Sequence, residues 1–218
     1  MAPGITFCIL IITSNLFCIK SDSVNFYSKT HTVRIIGGGE ISLEDYRGKV
    51  SLVVNVASAC GFTDKHYKGL VRLQSILGNT GQFTILAFPC NQFAGQEPEP
   101  EADILKFVQE KYEVNFPVFG KINVLEKDVP EAWSYLIRES GKAPNWNFWK
   151  YLVNHKGRVI GSWGPWSDVE EIFPVVKKAV DEAVREASST TTPSPPSLSD
   201  VKVLTDVENK GPSVHEDL

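Results

Sequence analysis

Residues 50–56, VSLVVNV, form an almost uninterrupted apolar run. Such a run is typical of a strand that is covered on both faces, as in the parallel sheets of α/β proteins. A second run of this kind, FTILAF at 83–88, ends at Pro89. The interval 64–77 carries apolar residues at helical spacing, so the sequence predicts two buried strands with a helix between them.

The rest of the chain continues to alternate between strand and helix patterns. The tetrapeptide NHKG separates two short strand patterns and is a hairpin signal. Further helices are predicted at 102–112, 131–139 and 169–185, and the hairpin strands at 150–154 and 158–163. This order predicts an α/β sandwich whose mixed sheet is parallel at its centre, antiparallel at one edge and flanked by helices.

Composition excludes several classes of protein. The 218 residues suit one domain with appendages, which we place at 24–187. A net charge of −4 argues against a nucleic-acid partner, which needs a basic surface. The chain has no apolar run of about 18 residues, the length that would predict a membrane-spanning helix. Neither a metal site nor a cofactor is expected, because the histidines of the domain, His31, His66 and His155, are scattered.

Both ends of the chain resemble targeting segments. Residues 1–20 are mostly apolar and are interpreted as a signal peptide, with a short uncleaved anchor, and hence membrane contact, as the alternative. Residues 188–218 begin rich in Ser, Thr and Pro, which predicts a disordered tail. The chain closes with HEDL at 215–218, a variant of the endoplasmic-reticulum retention address. The predicted location is therefore the lumen of the endoplasmic reticulum, with secretion as the alternative.

Only two cysteines lie outside the predicted signal peptide, Cys60 and Cys90. In an oxidising compartment they form either a structural disulfide or a redox pair. Cys60 follows the first apolar run just before a predicted helix, whose N-terminus favours a thiolate, and Thr63 is the predicted N-cap of that helix. The alternative is that Cys60 is a small core residue.

Three sequence blocks together resemble the signature blocks of the glutathione peroxidase family, in their order and spacing. They are NVASACGFT at 55–63, LAFPCNQFAGQEP at 86–98 and WNFWKYLVNHKGRV at 146–159. The resemblance implies a thioredoxin-like fold and a peroxidase that reduces hydroperoxides. It also implies that Cys60 is the peroxidatic residue and that Gln92, Trp146 and Asn147 complete the site.

Those residue types suit the implied chemistry. The side chains of Gln92, Asn147 and Trp146 offer neutral N–H donors, which stabilise an anionic sulfur without adding an opposing carboxylate. Donors directed at the charge that develops when the O–O bond breaks also lower the barrier. The alternatives are loop capping for the two amides and a hydrophobic lid for Trp146.

The resemblance also bears on the thiol that restores Cys60. The helix after QEP has no cysteine, so Cys90 is the possible resolving residue, with a buried structural cysteine as the alternative. The chain most resembles the cysteine-type endoplasmic-reticulum subgroup, glutathione peroxidases 7 and 8, which implies a protein disulfide isomerase-type reductant. Glutathione is expected to be a poor dedicated substrate, and the short interval before WNF implies a monomer. A non-catalytic redox sensor or chaperone-binding module that uses Cys60 stoichiometrically remains the alternative function.

Overall fold

The computed structural model describes residues 24–190. The interpretations of residues 1–20 and 215–218 therefore lie outside the described residues. The strands are β1 (Thr32–Arg34), β2 (Glu40–Ser42), β3 (Val50–Val56), β4 (Phe83–Pro89), β5 (Lys150–Val153) and β6 (Val159–Trp163). The helices are α1 (Thr63–Leu77), α2 (Glu101–Tyr112), α3 (Glu131–Ser140) and α4 (Val169–Thr190). In residues 24–190 no helix has the length and apolar character needed to span a bilayer.

A four-stranded mixed sheet forms the centre of the fold, with the strand order β4-β3-β5-β6. The two apolar runs pair in parallel, from Val50 opposite Phe83 to Val56 opposite Pro89. The hairpin strands β5 and β6 pair antiparallel, and β5 also pairs antiparallel with β3. The predicted α/β architecture, with a parallel centre and an antiparallel edge, is therefore confirmed.

Side chains that alternate along β3 and β4 build a separate core on each face of the sheet. One face, with Leu52 and Ile85, packs against α1, α2 and α4, and we call it the α1/α4 core. The other face, with Val53 and Phe88, packs against α3 and the N-terminal residues, and we call it the α3 core. Covering on both faces explains why these strands read as continuous apolar runs.

Two parts of the fold differ from the sequence prediction. The hairpin of β1 and β2 was not predicted, because each strand is only three residues long and carries exposed polar positions. The C-terminal helix continues past Arg185 to Thr190, into the segment assigned to the tail. Its last serines remain helical with their hydroxyls donating to backbone carbonyls, from Ser188 to Val184 O and from Ser189 to Glu186 O.

Candidate active site

Cys60 lies in the tight loop that joins β3 to α1. Its backbone N–H donates to Thr63 Oγ1 (3.0 Å), and the Thr63 hydroxyl donates to Ala57 O (2.7 Å). The N-cap of α1 is Phe62, without a side-chain cap bond, so the prediction that Thr63 is the N-cap is wrong. Because the helix starts one residue earlier than predicted, the threonine hydroxyl fixes the cysteine loop instead of capping the helix.

The Cys60 side chain is a free thiol near the N-terminal end of α1. Its residue retains 9% exposure and packs at the edge of the α1/α4 core. The dipole of an α-helix favours negative charge at this end. The location at the carboxyl end of a parallel strand is also where ligands gather in open α/β sheets. The position of the sulfur therefore suits an anionic nucleophile.

Asn55, on β3, holds the segment that carries Trp146 and Asn147 beside this strand end. Its side chain donates to Trp146 O (3.2 Å) and accepts from the Trp149 N–H (2.9 Å). Its carbonyl accepts from the Phe148 N–H (2.7 Å). The sequence analysis missed this role, although an asparagine inside a buried apolar strand is itself a signal, since a buried amide needs hydrogen-bond partners.

The structure brings Asn147 together with Gln96. The Asn147 amide nitrogen donates to Gln96 Oε1 (2.8 Å), and the Gln96 carbonyl accepts from the Ala59 N–H (3.0 Å). Asn147 is fully buried, and in residues 24–190 its Oδ1 atom has no hydrogen-bond partner. Two neutral amides therefore meet next to the residue that precedes Cys60.

The Gln92 side chain binds the loop at residues 124–125. Its Oε1 accepts from the backbone N–H groups of Val124 (2.7 Å) and Leu125 (2.9 Å), and its Nε2 donates to Leu125 O (2.9 Å). In the described part of the chain, no hydrogen bond joins Gln92 to Cys60, Trp146 or Asn147. The geometry thus matches the loop-capping alternative for Gln92, because its amide oxygen and one N–H are already bound to backbone groups.

A turn separates the two glutamines of the second block. Ala94 (φ 53°) and Gly95 (φ 62°) both adopt left-handed conformations between them. The turn directs Gln92 toward the 124–125 loop and Gln96 toward Asn147. Gln96 is a functional candidate that the sequence analysis missed, and its place in the same block as Gln92, LAFPCNQFAGQEP, was the available signal.

Trp146 is half-buried and contacts both cores. Its ring lies 6.2 Å from the Phe93 ring, centroid to centroid, in a tilted arrangement. Phe93 follows Gln92 directly, so this contact joins the WNF segment to the second sequence block. The arrangement accommodates both the predicted donor role and the hydrophobic-lid alternative for Trp146.

Cys90 is fully buried and lies in the α3 core, whereas Cys60 packs in the α1/α4 core. Both thiols are free. The Cys90 thiol donates to Gln92 Oε1 over 3.8 Å, and burial raises its pKa. The resting fold therefore holds the two cysteines on opposite faces of the sheet, with Cys90 in its neutral form.

Glu97 is a buried carboxyl group between the two cysteine loops. It accepts a hydrogen bond from the Ser58 hydroxyl (2.7 Å), and its backbone N–H donates to Asn91 Oδ1 (2.8 Å). Its Oε2 has no partner in residues 24–190. Burial raises the pKa of Glu97 to about 7, against the smaller opposing effects of the Ser58 hydrogen bond and the positive charge of Lys121.

A search of residues 24–190 finds no cluster of three or more His, Cys, Asp or Glu side chains that could hold a metal ion.

Comparisons with known proteins identify the family of the chain. A family model described as glutathione peroxidase (GSHPx) matches residues 27–137. Bovine glutathione peroxidase 7 is 52% identical over 149 residues, which cover 68% of this chain and 80% of the relative. The human protein named probable glutathione peroxidase 8 is 41% identical over 181 residues, covering 81% of this chain and 85% of the relative.

Similarity to solved structures identifies the fold. The crystal structure of Trgpx in its apo form has a TM-score of 0.60 and 33% identity, covering 73% of this chain and 97% of that one. A thioredoxin-family thiol:disulfide interchange protein from Chlorobium tepidum, with a TM-score of 0.51 and 16% identity, shares the fold alone. The chain has a thioredoxin-like fold and belongs to the glutathione peroxidase family, in the subgroup of glutathione peroxidases 7 and 8.

Proposed function

We propose that this protein is a cysteine peroxidase that reduces hydrogen peroxide or organic hydroperoxides through Cys60. The observation that carries the proposal is the bonded pair of Gln96 and Asn147, attached through Ala59 to the loop of a thiol at the N-terminal end of a helix. The names of the relatives, glutathione peroxidases 7 and 8, support the same class of reaction.

The reaction uses one sulfur and one O–O bond. The Cys60 thiolate attacks one peroxide oxygen, an S–O bond forms and the O–O bond breaks. The departing oxygen takes up one proton and leaves as water or as an alcohol, and Cys60 becomes a sulfenic acid. The sulfur is oxidised and the peroxide is reduced.

We propose Cys60 as the peroxidatic residue, with Trp146 and Asn147 as donors and Gln96 in the role that the sequence analysis gave to Gln92. The Asn147 amide keeps one N–H that is not used in its bond to Gln96, and its buried Oδ1, which has no partner in residues 24–190, can accept a hydrogen bond from the peroxide hydroxyl. A donor directed at the departing oxygen is worth most in such a water-poor site. Gln92 instead supports the loop that covers Cys90.

We further propose that Cys90 resolves the sulfenic acid and that a protein disulfide isomerase-type thiol then reduces the disulfide. Cys90 attacks the Cys60 sulfur, an S–S bond forms, and the sulfenic oxygen leaves as water with the Cys90 proton. Because the two thiols lie in different cores, the 89–98 loop must move before they meet. Direct reduction by glutathione is the competing route. The HEDL end supports residence in the endoplasmic reticulum, and the short interval before WNF supports a monomer.

The test is peroxide consumption by the reduced protein, followed by stopped flow, in the wild type and in Cys60→Ser. Serine is nearly isosteric but lacks an accessible anion, so the variant is expected to consume no peroxide while keeping the wild-type circular dichroism spectrum. Cys90→Ser serves as the matched control, because it removes the other thiol. Wild-type consumption by Cys60→Ser would contradict the assignment of Cys60.

A second measurement separates an enzyme from a stoichiometric sensor. With peroxide in excess, reduced protein disulfide isomerase, thioredoxin or glutathione is supplied as the sole reductant. We expect many turnovers with protein disulfide isomerase and the slowest turnover with glutathione. Consumption that stops at one equivalent with all three reductants would contradict the enzymatic function.

A further inference from the structure

Trp166 is the most exposed large apolar side chain of residues 24–190, with 68% of its surface accessible. Its ring meets the Phe62 ring edge-to-face, with the centroids 6.3 Å apart. Phe62 is the second residue after Cys60 and packs against the α1/α4 core to which Cys60 belongs. Large exposed apolar surface near a reactive group commonly contacts a ligand. Trp166 and Phe62 together form an aromatic shelf near the candidate peroxidatic cysteine.

Two buried side chains hold the loop that carries Trp166 through hydrogen bonds to its backbone carbonyls. The His66 ring donates from Nε2 to Pro165 O (2.9 Å), and the Lys150 side-chain nitrogen donates to Gly164 O (3.0 Å). Both donors are inaccessible to solvent, so water does not compete for these hydrogen bonds. The indole is therefore presented on a rigid support, which lowers the entropic cost of binding a ligand there.

The charges around the shelf do not favour an anionic ligand. Lys65, on α1, is paired with Asp168 (2.5 Å), directly beyond the loop. The first turn of α4 adds two further carboxylates, Glu170 and Glu171. A ligand on the shelf therefore meets an aromatic surface, a neutralised lysine and nearby negative charge, which together suit an uncharged apolar group.

We propose that Trp166 and Phe62 bind the apolar part of an uncharged organic hydroperoxide while its –OOH group reacts at Cys60. The inference rests on the proposed peroxidase function and names its substrate class. The S–O bond forms and the O–O bond breaks as before, and the organic group departs as the protonated alcohol. Hydrogen peroxide has no apolar part, so the shelf contributes nothing to its reaction.

The test compares two peroxides in a single turnover of the reduced protein. The second-order rate constant for loss of the Cys60 thiol is measured with hydrogen peroxide and with cumene hydroperoxide. Trp166→Ala is expected to slow the reaction with cumene hydroperoxide by about tenfold, the loss that follows from removing one aromatic contact and its buried area. It should leave the rate with hydrogen peroxide unchanged. Trp166→Phe keeps an aromatic face and is expected to retain most of the rate.

The matched control is Ile76→Ala, which truncates another exposed apolar residue, 49% accessible, near the far end of α1. It is expected to change neither rate. The proposed role of the shelf is overturned if Trp166→Ala slows both reactions equally or slows neither. It is also overturned if the loss is confined to re-reduction by protein disulfide isomerase. Wild-type protein that is inert to hydrogen peroxide would overturn the proposed function, whereas a reactive Cys60 without the selective loss overturns the shelf alone.

Discussion

Asn147 and Gln96 form a direct amide–amide hydrogen bond, from Asn147 Nδ2 to Gln96 Oε1 over 2.8 Å. The bond joins two segments that are far apart in the chain, and it uses the oxygen of Gln96 and one N–H of Asn147. In residues 24–190 the Oδ1 of Asn147 has no hydrogen-bond partner, so it is available to a ligand. The Gln96 carbonyl accepts from the Ala59 N–H (3.0 Å), so this pair is bonded to the Cys60 loop, whereas Gln92 is bonded to the 124–125 loop.

The first prediction contrasts the two glutamines. Gln96→Ala is expected to slow the single-turnover oxidation of Cys60 by hydrogen peroxide by about a hundredfold, the usual cost of removing a donor from developing charge. Gln92→Ala is expected to lower the free energy of unfolding by about 1–3 kcal/mol, because two backbone N–H groups lose their acceptor. Stopped-flow rates and urea unfolding of both variants check this.

The contrast between the two variants is the decisive observation. If Gln92→Ala slows the peroxide step as strongly as Gln96→Ala at equal folded fraction, the role proposed for Gln96 is wrong and the original assignment to Gln92 holds. Gln96→Glu is a useful third variant. A carboxylate at this position repels the Cys60 thiolate, so the variant should slow the reaction further as the carboxyl group ionises.

The second prediction concerns Glu97 and pH. Its pKa in the folded protein, about 7, lies above the ordinary value of 4.5, so the folded state holds the proton more tightly than the unfolded state does. Ionisation of the buried carboxyl group therefore lowers the free energy of unfolding. This loss is absent below pH 4.5, grows as the pH rises to 7 and is constant above that. Glu97→Gln keeps an acceptor for Ser58 and removes this loss, so it should stabilise the protein more at pH 8 than at pH 5.

The size of that difference is about 3 kcal/mol at most, from the shift between the two pKa values. Urea unfolding of the wild type and of Glu97→Gln at both pH values measures it, and other titrating groups cancel in the difference. A stability difference between the two proteins that is the same at pH 5 and pH 8 would show that Glu97 titrates normally.

The third prediction concerns the end of the chain. Deletion of residues 215–218 is expected to release the protein into the medium without changing its peroxidase activity, because the proposed retention address lies beyond the domain. Immunoblots of cells and medium check this, with deletion of 201–204 as a control that shortens the tail by the same length and keeps HEDL. Retention of the protein without HEDL would favour an uncleaved N-terminal anchor.

The sequence predicted the strands that matter most for the site, because their apolar runs have a simple physical cause. A parallel strand covered on both faces carries apolar residues at nearly every position, and 50–56 and 83–88 do so. The directions of individual side chains were not predictable in the same way. A one-residue difference in the start of α1 changed the role of Thr63, and left-handed conformations at Ala94 and Gly95 decided which glutamine meets Asn147.

The same limit applies to packing contacts between distant segments. Nothing in the local pattern of Trp166 indicates that His66 and Lys150 would fix its loop, because those hydrogen bonds arise only when the hairpin and α1 pack together. Similarly, the sequence identified Cys60 and Cys90 as the two cysteines outside the predicted signal peptide, but only the structure assigns their side chains to different cores.

The last prediction follows from that separation of Cys60 and Cys90. Disulfide formation requires Cα atoms within about 7 Å and suitably directed side chains. Cys90 is held by its backbone N–H, which donates to Val56 O (3.1 Å), and by its contact with Gln92. Cys90→Ser should therefore leave the reaction of peroxide with Cys60 unchanged, while the sulfenic acid persists and oxidises onward to sulfinic acid.

Mass spectrometry of the peroxide-treated proteins distinguishes the outcomes. The wild type should yield a Cys60–Cys90 disulfide peptide, and Cys90→Ser should yield Cys60 with two added oxygens in excess peroxide. The Cys60→Ser variant is the control, because its Cys90 is buried with a raised pKa and should stay unmodified. If the wild type forms no such disulfide while an added thiol reduces its sulfenic acid directly, Cys90 is a structural residue of the α3 core, and Cys60 works alone.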